Sequence, residues 1–136
     1  MLIVTTNDIP GYAITHVHGE VFGLTVRSRN IGSQMGAGLK SMFGGELKGM
    51  TKVMIDSRNE VMGRMIGEAQ ARGANAIVGM RFDTSEMGDT WTEIVAYGTA
   101  VVVTPTTDDA KQQVSADAGR PAWQPTGYES ADVKRG

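Results

Sequence analysis

The stretch Arg72-Gly73-Ala74-Asn75-Ala76-Ile77-Val78-Gly79-Met80-Arg81-Phe82-Asp83 decides the fold, because the apolar period changes inside it. Upstream, over 50–72, Met54, Val61, Met65 and Ala69 line one edge of a helix, and Met62 and Ile66 widen it. Lys52, Asp56, Arg58, Glu60, Arg64 and Glu68 fall mostly on the other faces. Gly73 stands just past the last turn, where a left-handed residue commonly ends a helix. Downstream, Ala76, Val78, Met80 and Phe82 alternate with Gly79, Arg81 and Asp83, the period of a strand.

Further along the chain, Met87-Gly88-Asp89 supplies a turn and Trp91 to Thr104 forms a last long strand. Trp91, Glu93, Val95, Tyr97, Thr99, Val101 and Val103 share one face of it, and Ile94, Ala96, Ala100 and Val102 the other. Apolar residues on both faces near its end predict burial on both sides.

Towards the N-terminus, Tyr12 to Arg27 is rich in Val, Thr, Ile and aromatics and reads as a long strand. Gly19 and Gly23 interrupt it, the mark of a bulge or of a close backbone approach. Pro10-Gly11 forms the turn before it, Pro setting φ and Gly accepting a positive one. Leu2 to Thr6 is a short apolar, β-branched strand. Between the long strand and the helix, Ile31, Met35, Leu39, Phe43 and Leu47 recur every four residues, one helical stripe. Five glycines weaken that helix, each by about 0.5–1 kcal/mol against alanine, with a break expected at Gly44-Gly45.

The expected architecture is therefore α+β: an antiparallel-rich sheet of about four strands with two helices inserted, in the order β-β-α-α-β-β. Pro105 closes the domain, giving 1–104 as the folded unit. Residues 105–136 lack a usable apolar period and read as a disordered polar tail, with Trp123 and Tyr128 as isolated aromatics.

The 136 residues carry a formal charge of −2 and show no Lys/Arg run, so nothing supports binding to nucleic acid or an anionic membrane. The absence of cysteine removes disulfides, thiolate nucleophiles and Cys-based zinc sites. The first residues, Met1-Leu2-Ile3-Val4-Thr5-Thr6-Asn7, do not have the form of a signal peptide. The longest apolar run, Ala100-Val101-Val102-Val103, is too short to span a bilayer. A cytoplasmic protein is expected.

His16-Val17-His18 is the one concentrated ligand signal. In an unbroken strand i and i+2 share a face with Cα atoms roughly 6.5–7 Å apart, so both imidazoles can converge on one ion. Glu20 joins that face if Gly19 makes no bulge. Zinc normally takes three or four protein ligands, so two histidines need further donors. The candidate site is His16, His18 and Glu20, for Zn, Cu or Ni; the bland alternative is a pair of polar strand residues. Met54, Met62 and Met65 suit Cu(I) chemically, but their helical spacing reads as core. Gly36-Ala37-Gly38-Leu39-Lys40-Ser41 lacks the glycine spacing of a phosphate loop. Asp83, Glu86, Asp89 and Glu93 cluster around a hairpin where solvation is the default. With no nucleophile in a recognisable setting, the chain is expected not to be an enzyme.

Gly11-Tyr12, His18-Gly19-Glu20-Val21, Arg27 with Asn30, Gly38-Leu39-Lys40, Gly44-Gly45-Glu46-Leu47, the stretch 72–85, Trp91-Thr92-Glu93-Ile94 and Ala96-Tyr97-Gly98-Thr99-Ala100-Val101 together resemble the YbjQ-like family of bacterial heavy-metal-binding proteins. The resemblance runs from about Leu2 to Thr104. It implies a dodecin-like subunit that assembles with copies of itself, typically as a homopentamer, and it implies no catalytic residue. Where some members carry Cys just before the strand glycine, this chain has His18. Physical reasoning points the same way: bare strand edges are a liability that closing into an oligomeric ring removes. The function expected is a non-enzymatic homo-oligomer binding a heavy metal or small ligand at strand or subunit interfaces. Two alternatives are a ligand-free stress or assembly scaffold recruiting partners through the tail, and a flavin or aromatic-ligand binder using Trp91.

Overall fold

A computed structural model describes residues 1–28 and 48–125 of the chain. Within them lie β1 (Leu2–Ile3), β2 (Tyr12–Ser28), α1 (Lys48–Ala71), β3 (Ala76–Met87), β4 (Trp91–Pro105) and α2 (Asp108–Asp117). The strands form one sheet in the order β1-β3-β4-β2. β4 pairs antiparallel with both β2 and β3, while β1 lies parallel to β3, so the sheet is mixed. The expected α+β class and the two hairpin strands are present. The glycine-rich helix expected over 31–47, with its break at Gly44-Gly45, lies outside the described residues.

α1 forms where its sequence predicts and packs through most of the expected edge, but Met54, expected in the core, is 37 % exposed. Val61, Met62, Met65, Ile66 and Ala69 are buried and meet Val21, Ile77, Ile94, Ala96 and Ala100 of the sheet. Burying such side chains contributes about 1.5–3 kcal/mol each before conformational entropy is counted. The helix stops at Gly73, whose φ is +82°. There the Gly73 N–H donates to Gln70 O (2.9 Å) and the Ala74 N–H to Ala69 O (3.0 Å), the paired bonds of a Schellman ending.

Among the described residues, the second face of the sheet carries a buried cluster at one end. Ile9, Ala76, Val78, Val101 and Val103 form a smaller buried cluster, joined by Leu2, Val4 and Tyr12. This is the two-sided burial of the end of β4 that its sequence predicts. The covering segment is held by the Pro10-Gly11 turn: Gly11 has φ +82° and the Tyr12 N–H donates to Ile9 O at 3.1 Å.

Within the segment expected to be a disordered tail, Asp108–Asp117 forms a helix, while 126–136 lie outside the described residues. Thr107 caps α2, its hydroxyl accepting from the Ala110 N–H at 3.2 Å, and Asp108 and Asp109 sit in the first turn where the helix dipole favours them. No apolar period announces this helix because it buries a single residue, Ala110. Its support is tertiary: the Tyr12 hydroxyl donates to Ala110 O at 3.3 Å, and the Thr106 N–H donates to Gly11 O at 2.7 Å. Beyond α2 the chain returns to the core. The Met1 ammonium donates to Ala122 O at 3.0 Å, and Ala122 and Trp123 pack on the main cluster.

Candidate functional site

β2 is the edge strand on which the predicted ligands lie, and it is irregular there. Its register against β4 slips twice, between Ile14 and His16 and between Val17 and Gly19, leaving Thr15 and His18 as extra residues. Gly19 adopts φ +104°, a conformation other residues avoid. The bulge that the strand glycine foreshadows is therefore present, and it has a chemical consequence.

His16 lies opposite Val102 and Glu20 opposite Thr99. Cross-strand partners share a face, and Val102 and Thr99, three residues apart on β4, point to opposite faces. Glu20 is thus carried away from the histidines, which corrects its expected place in the site. The two imidazoles do come together. Their ring centroids are 4.5 Å apart, edge to face at 69°. The Nε2 atom of His18 is enclosed and has no hydrogen-bond partner. Among the described residues, no group of three or more His, Asp or Glu side chains is arranged to hold a metal ion. Among the described residues the imidazole donors form a pair.

The edge of β2 divides into two halves. Over Glu20–Leu24 its outward backbone groups are occupied by side chains of α1 and of Arg72 just past its end: Arg72 donates to Glu20 O at 3.0 Å, Glu68 accepts from the Phe22 N–H at 3.3 Å, and Arg64 donates to Leu24 O. The same side chains pair along the helix, Arg64 with Glu60 at 2.6 Å and Arg72 with Glu68 at 3.0 Å. This clamp closes one half of the edge. The other half, Ala13–Val17, is exposed, with Val17 60 % accessible, and it carries His16. The sequence places Glu60, Arg64 and Glu68 only on the faces of α1 away from its apolar edge, with no role in the sheet. The signal for the clamp was the strict four-residue spacing with alternating sign at 60, 64, 68 and 72.

The remaining candidates fall apart or into the core. Met62 and Met65 are buried in the main cluster, as their spacing predicts. Trp91 starts β4 opposite Ser28 and Met87 and is 51 % accessible. Of the hairpin acids, Asp83 lies beside Tyr97, and its carboxylate holds the phenol above the usual value of 10.0. The segment 36–41 lies outside the described residues.

A family model described as "Putative heavy-metal-binding" matches residues 1–104. A "UPF0145 protein" from Acidothermus cellulolyticus is 72 % identical over 103 residues, 76 % of this chain and 95 % of that one. One from Mycobacteroides abscessus is 59 % identical over 105 residues, 77 % of this chain and 98 % of that one. One from the archaeon Thermoplasma acidophilum is 47 % identical over 112 residues, 82 % of this chain and 94 % of that one. A solved structure from Pediococcus pentosaceus, a protein of unknown function, aligns over 76 % of this chain and 98 % of that one at 17 % identity with a TM-score of 0.48. The helix α1, the histidine pair and all of the sheet but Pro105 lie inside the matched segment, and the chain belongs to the YbjQ family of UPF0145 proteins.

Proposed function

We propose that this protein is a non-enzymatic, cytoplasmic homo-oligomer that binds a divalent transition metal, Zn, Cu or Ni, at the open half of the β2 edge. His16 and His18 are the imidazole donors. The observation that carries this reading is their contact, 4.5 Å between ring centroids on an exposed, bulged strand. The unpartnered Nε2 of His18 supports it, because this enclosed nitrogen has no hydrogen bond to give up when the site opens to a cation. So does the heavy-metal description of the family.

Two imidazoles are fewer than a zinc or copper site takes. A second copy placed against Ala13–Val17 supplies the missing donors and covers the half of the edge that α1 leaves open. The homopentameric, dodecin-like ring that the family resemblance implies is one closed arrangement of such copies.

Calorimetric titration of the full chain with Zn²⁺, Cu²⁺ and Ni²⁺ tests the reading. The wild type is expected to give saturable binding with less than one metal per chain, and the double variant His16→Ala/His18→Ala no binding. Indistinguishable isotherms remove the proposal.

A further inference from the structure

The helix face of the sheet holds a cavity of about 340 Å³ that the metal reading does not use. Ile55, Asn59 and Met62 of α1, Met80 and Phe82 of β3, and Trp123 wall it, with Arg58 at its rim. Trp123 is outside the family segment, which ends at 104. The Acidothermus relative matches over 103 residues that make up 95 % of its length, so it has too few further residues to supply an equivalent wall. In this chain the C-terminal extension crosses back over the core, is fastened to the Met1 ammonium through Ala122 O, and lays the indole beside Gly63 of α1. A β-carbon at Gly63 would stand 3.9 Å from the Trp123 ring, so the ring reaches the helix where a side chain is missing.

We propose that this cavity is a binding site for a small carboxylate with an apolar body, such as an aryl-alkanoate. Its volume lies within the roughly 300–1,000 Å³ typical of small-molecule sites, at the small end. Apart from the Asn59 amide its walls are thioether, aliphatic and aromatic, which select an apolar body without fixing its detailed shape. Arg58 supplies the charge that separates an acid from an alcohol, which the neutral Asn59 amide does not. Its guanidinium carbon sits 4.8 Å from the centre of the Phe82 ring, so the cation is stacked and held over the cavity mouth. The residues three and four positions away on α1 are Met54, Ile55, Val61 and Met62, so the helix itself offers Arg58 no carboxylate. A stacked guanidinium keeps its N–H edge free to take a carboxylate in two parallel bonds, which an alcohol or an amine cannot reproduce.

Trp123 makes the site self-reporting. In the full-length Trp91→Phe variant it is the chain's one remaining tryptophan. Its emission is followed on titration with 4-phenylbutyrate and, as the uncharged control, 4-phenylbutanol, neither of which absorbs where indole is excited. The expected result is a saturable change in Trp123 emission, with the carboxylate bound about tenfold more tightly than the alcohol. Arg58→Gln should bring the two within about twofold of each other, and Arg58→Lys should retain part of the preference. A flat titration up to the solubility of the probe overturns the proposal, as does equal binding of acid and alcohol by the wild-type rim, or a preference that survives Arg58→Gln. The result is independent of metal binding, because His16 and His18 do not line the cavity.

Discussion

Gly23 of β2 stands so close to Val61 of α1 that a β-carbon built on it would lie 1.9 Å from the Val61 carbonyl oxygen and 2.7 Å from the Met65 nitrogen. The helix backbone rests directly on the strand backbone at this point. Neither atom can move without displacing the helix. Gly23→Ala is expected to destabilise the protein by about 3 kcal/mol or more, the upper range of overpacking substitutions. The control is Gly67→Ala in α1, where a β-carbon meets nothing within 4 Å. There the gain in helix propensity predicts stabilisation of about 0.5–1 kcal/mol. Urea denaturation midpoints compare the two, and equal shifts would refute the close-approach account.

The close approach at Gly23 and the bulge at Gly19 were both legible, because glycine within a strand of Val, Thr and Ile has few other reasons to be there. So was the end of α1, where Gly73 follows a run of helix formers. What the sequence concealed was parity. Thr15 and His18 each add one residue to β2 without any compositional mark at Thr15, and each slip changes which face the following residues occupy. Placing Glu20 with the histidines failed for that reason alone. α2 was concealed differently: a helix that buries one alanine and relies on a cap and on Tyr12 has no periodic signature to read.

The clamp of α1 on the β2 edge predicts a change in association rather than in fold. Removing Arg64 and Arg72 together leaves Leu24 O and Glu20 O without their donors and lengthens the open edge. The double variant Arg64→Ala/Arg72→Ala is expected to lose about 1–2 kcal/mol of stability, roughly one hydrogen bond each. It should also form assemblies larger than the wild type's, growing with concentration. Light scattering over a concentration series reads this, and an unchanged mass at every concentration would count against edge protection.

Glu60 collects three donors: Arg27, Arg64 and the Thr25 hydroxyl, the last at 3.3 Å. Thr25 is itself buried, and the Arg27 Nε–H donates to the fully buried Ser57 hydroxyl at 3.2 Å, so the network ties the end of β2 to α1. With the Glu60 side chain 30 % accessible, solvent weakens each contact. Glu60→Ala is expected to cost about 1–2 kcal/mol, less than removal of a fully buried charge partner. Molar salt should recover little of that loss, because the hydrogen bonds to Thr25 and Arg27 are local. A loss that vanishes in salt would mean that the network acts only as long-range charge.

If His16 and His18 hold a metal, protons compete for the same nitrogens. An imidazole binds metal only when neutral, so affinity is expected to fall as the pH is lowered. Glu20→Gln is expected to leave the affinity within about twofold, because the bulge carries Glu20 to the other face of the sheet. Zinc titrations at several pH values, run on both proteins, separate the two statements. A large loss in the Glu20 variant would restore Glu20 as a ligand and contradict the register.

Tyr97 gives a prediction at the alkaline end. Asp83 raises its phenol pKa first by charge and then, after a smaller contribution from burial, by accepting the phenol's hydrogen bond, while Arg81 acts in the opposite direction. The folded phenol therefore keeps its proton at a pH where the unfolded phenol, near 10.0, has begun to lose it. Between those values the native state binds more protons than the unfolded state, so stability falls as pH rises. The contribution is present in full below the unfolded value and is gone above the folded one. Asp83→Asn removes the charge, so the Tyr97 titration should move down towards 10.0 and the alkaline loss of stability attributable to this residue should shrink. Carbon NMR of ring-labelled tyrosine resolves Tyr97 from Tyr12 and Tyr128 and follows the titration. A Tyr97 midpoint unmoved by Asp83→Asn would show that the two side chains do not interact across β3 and β4.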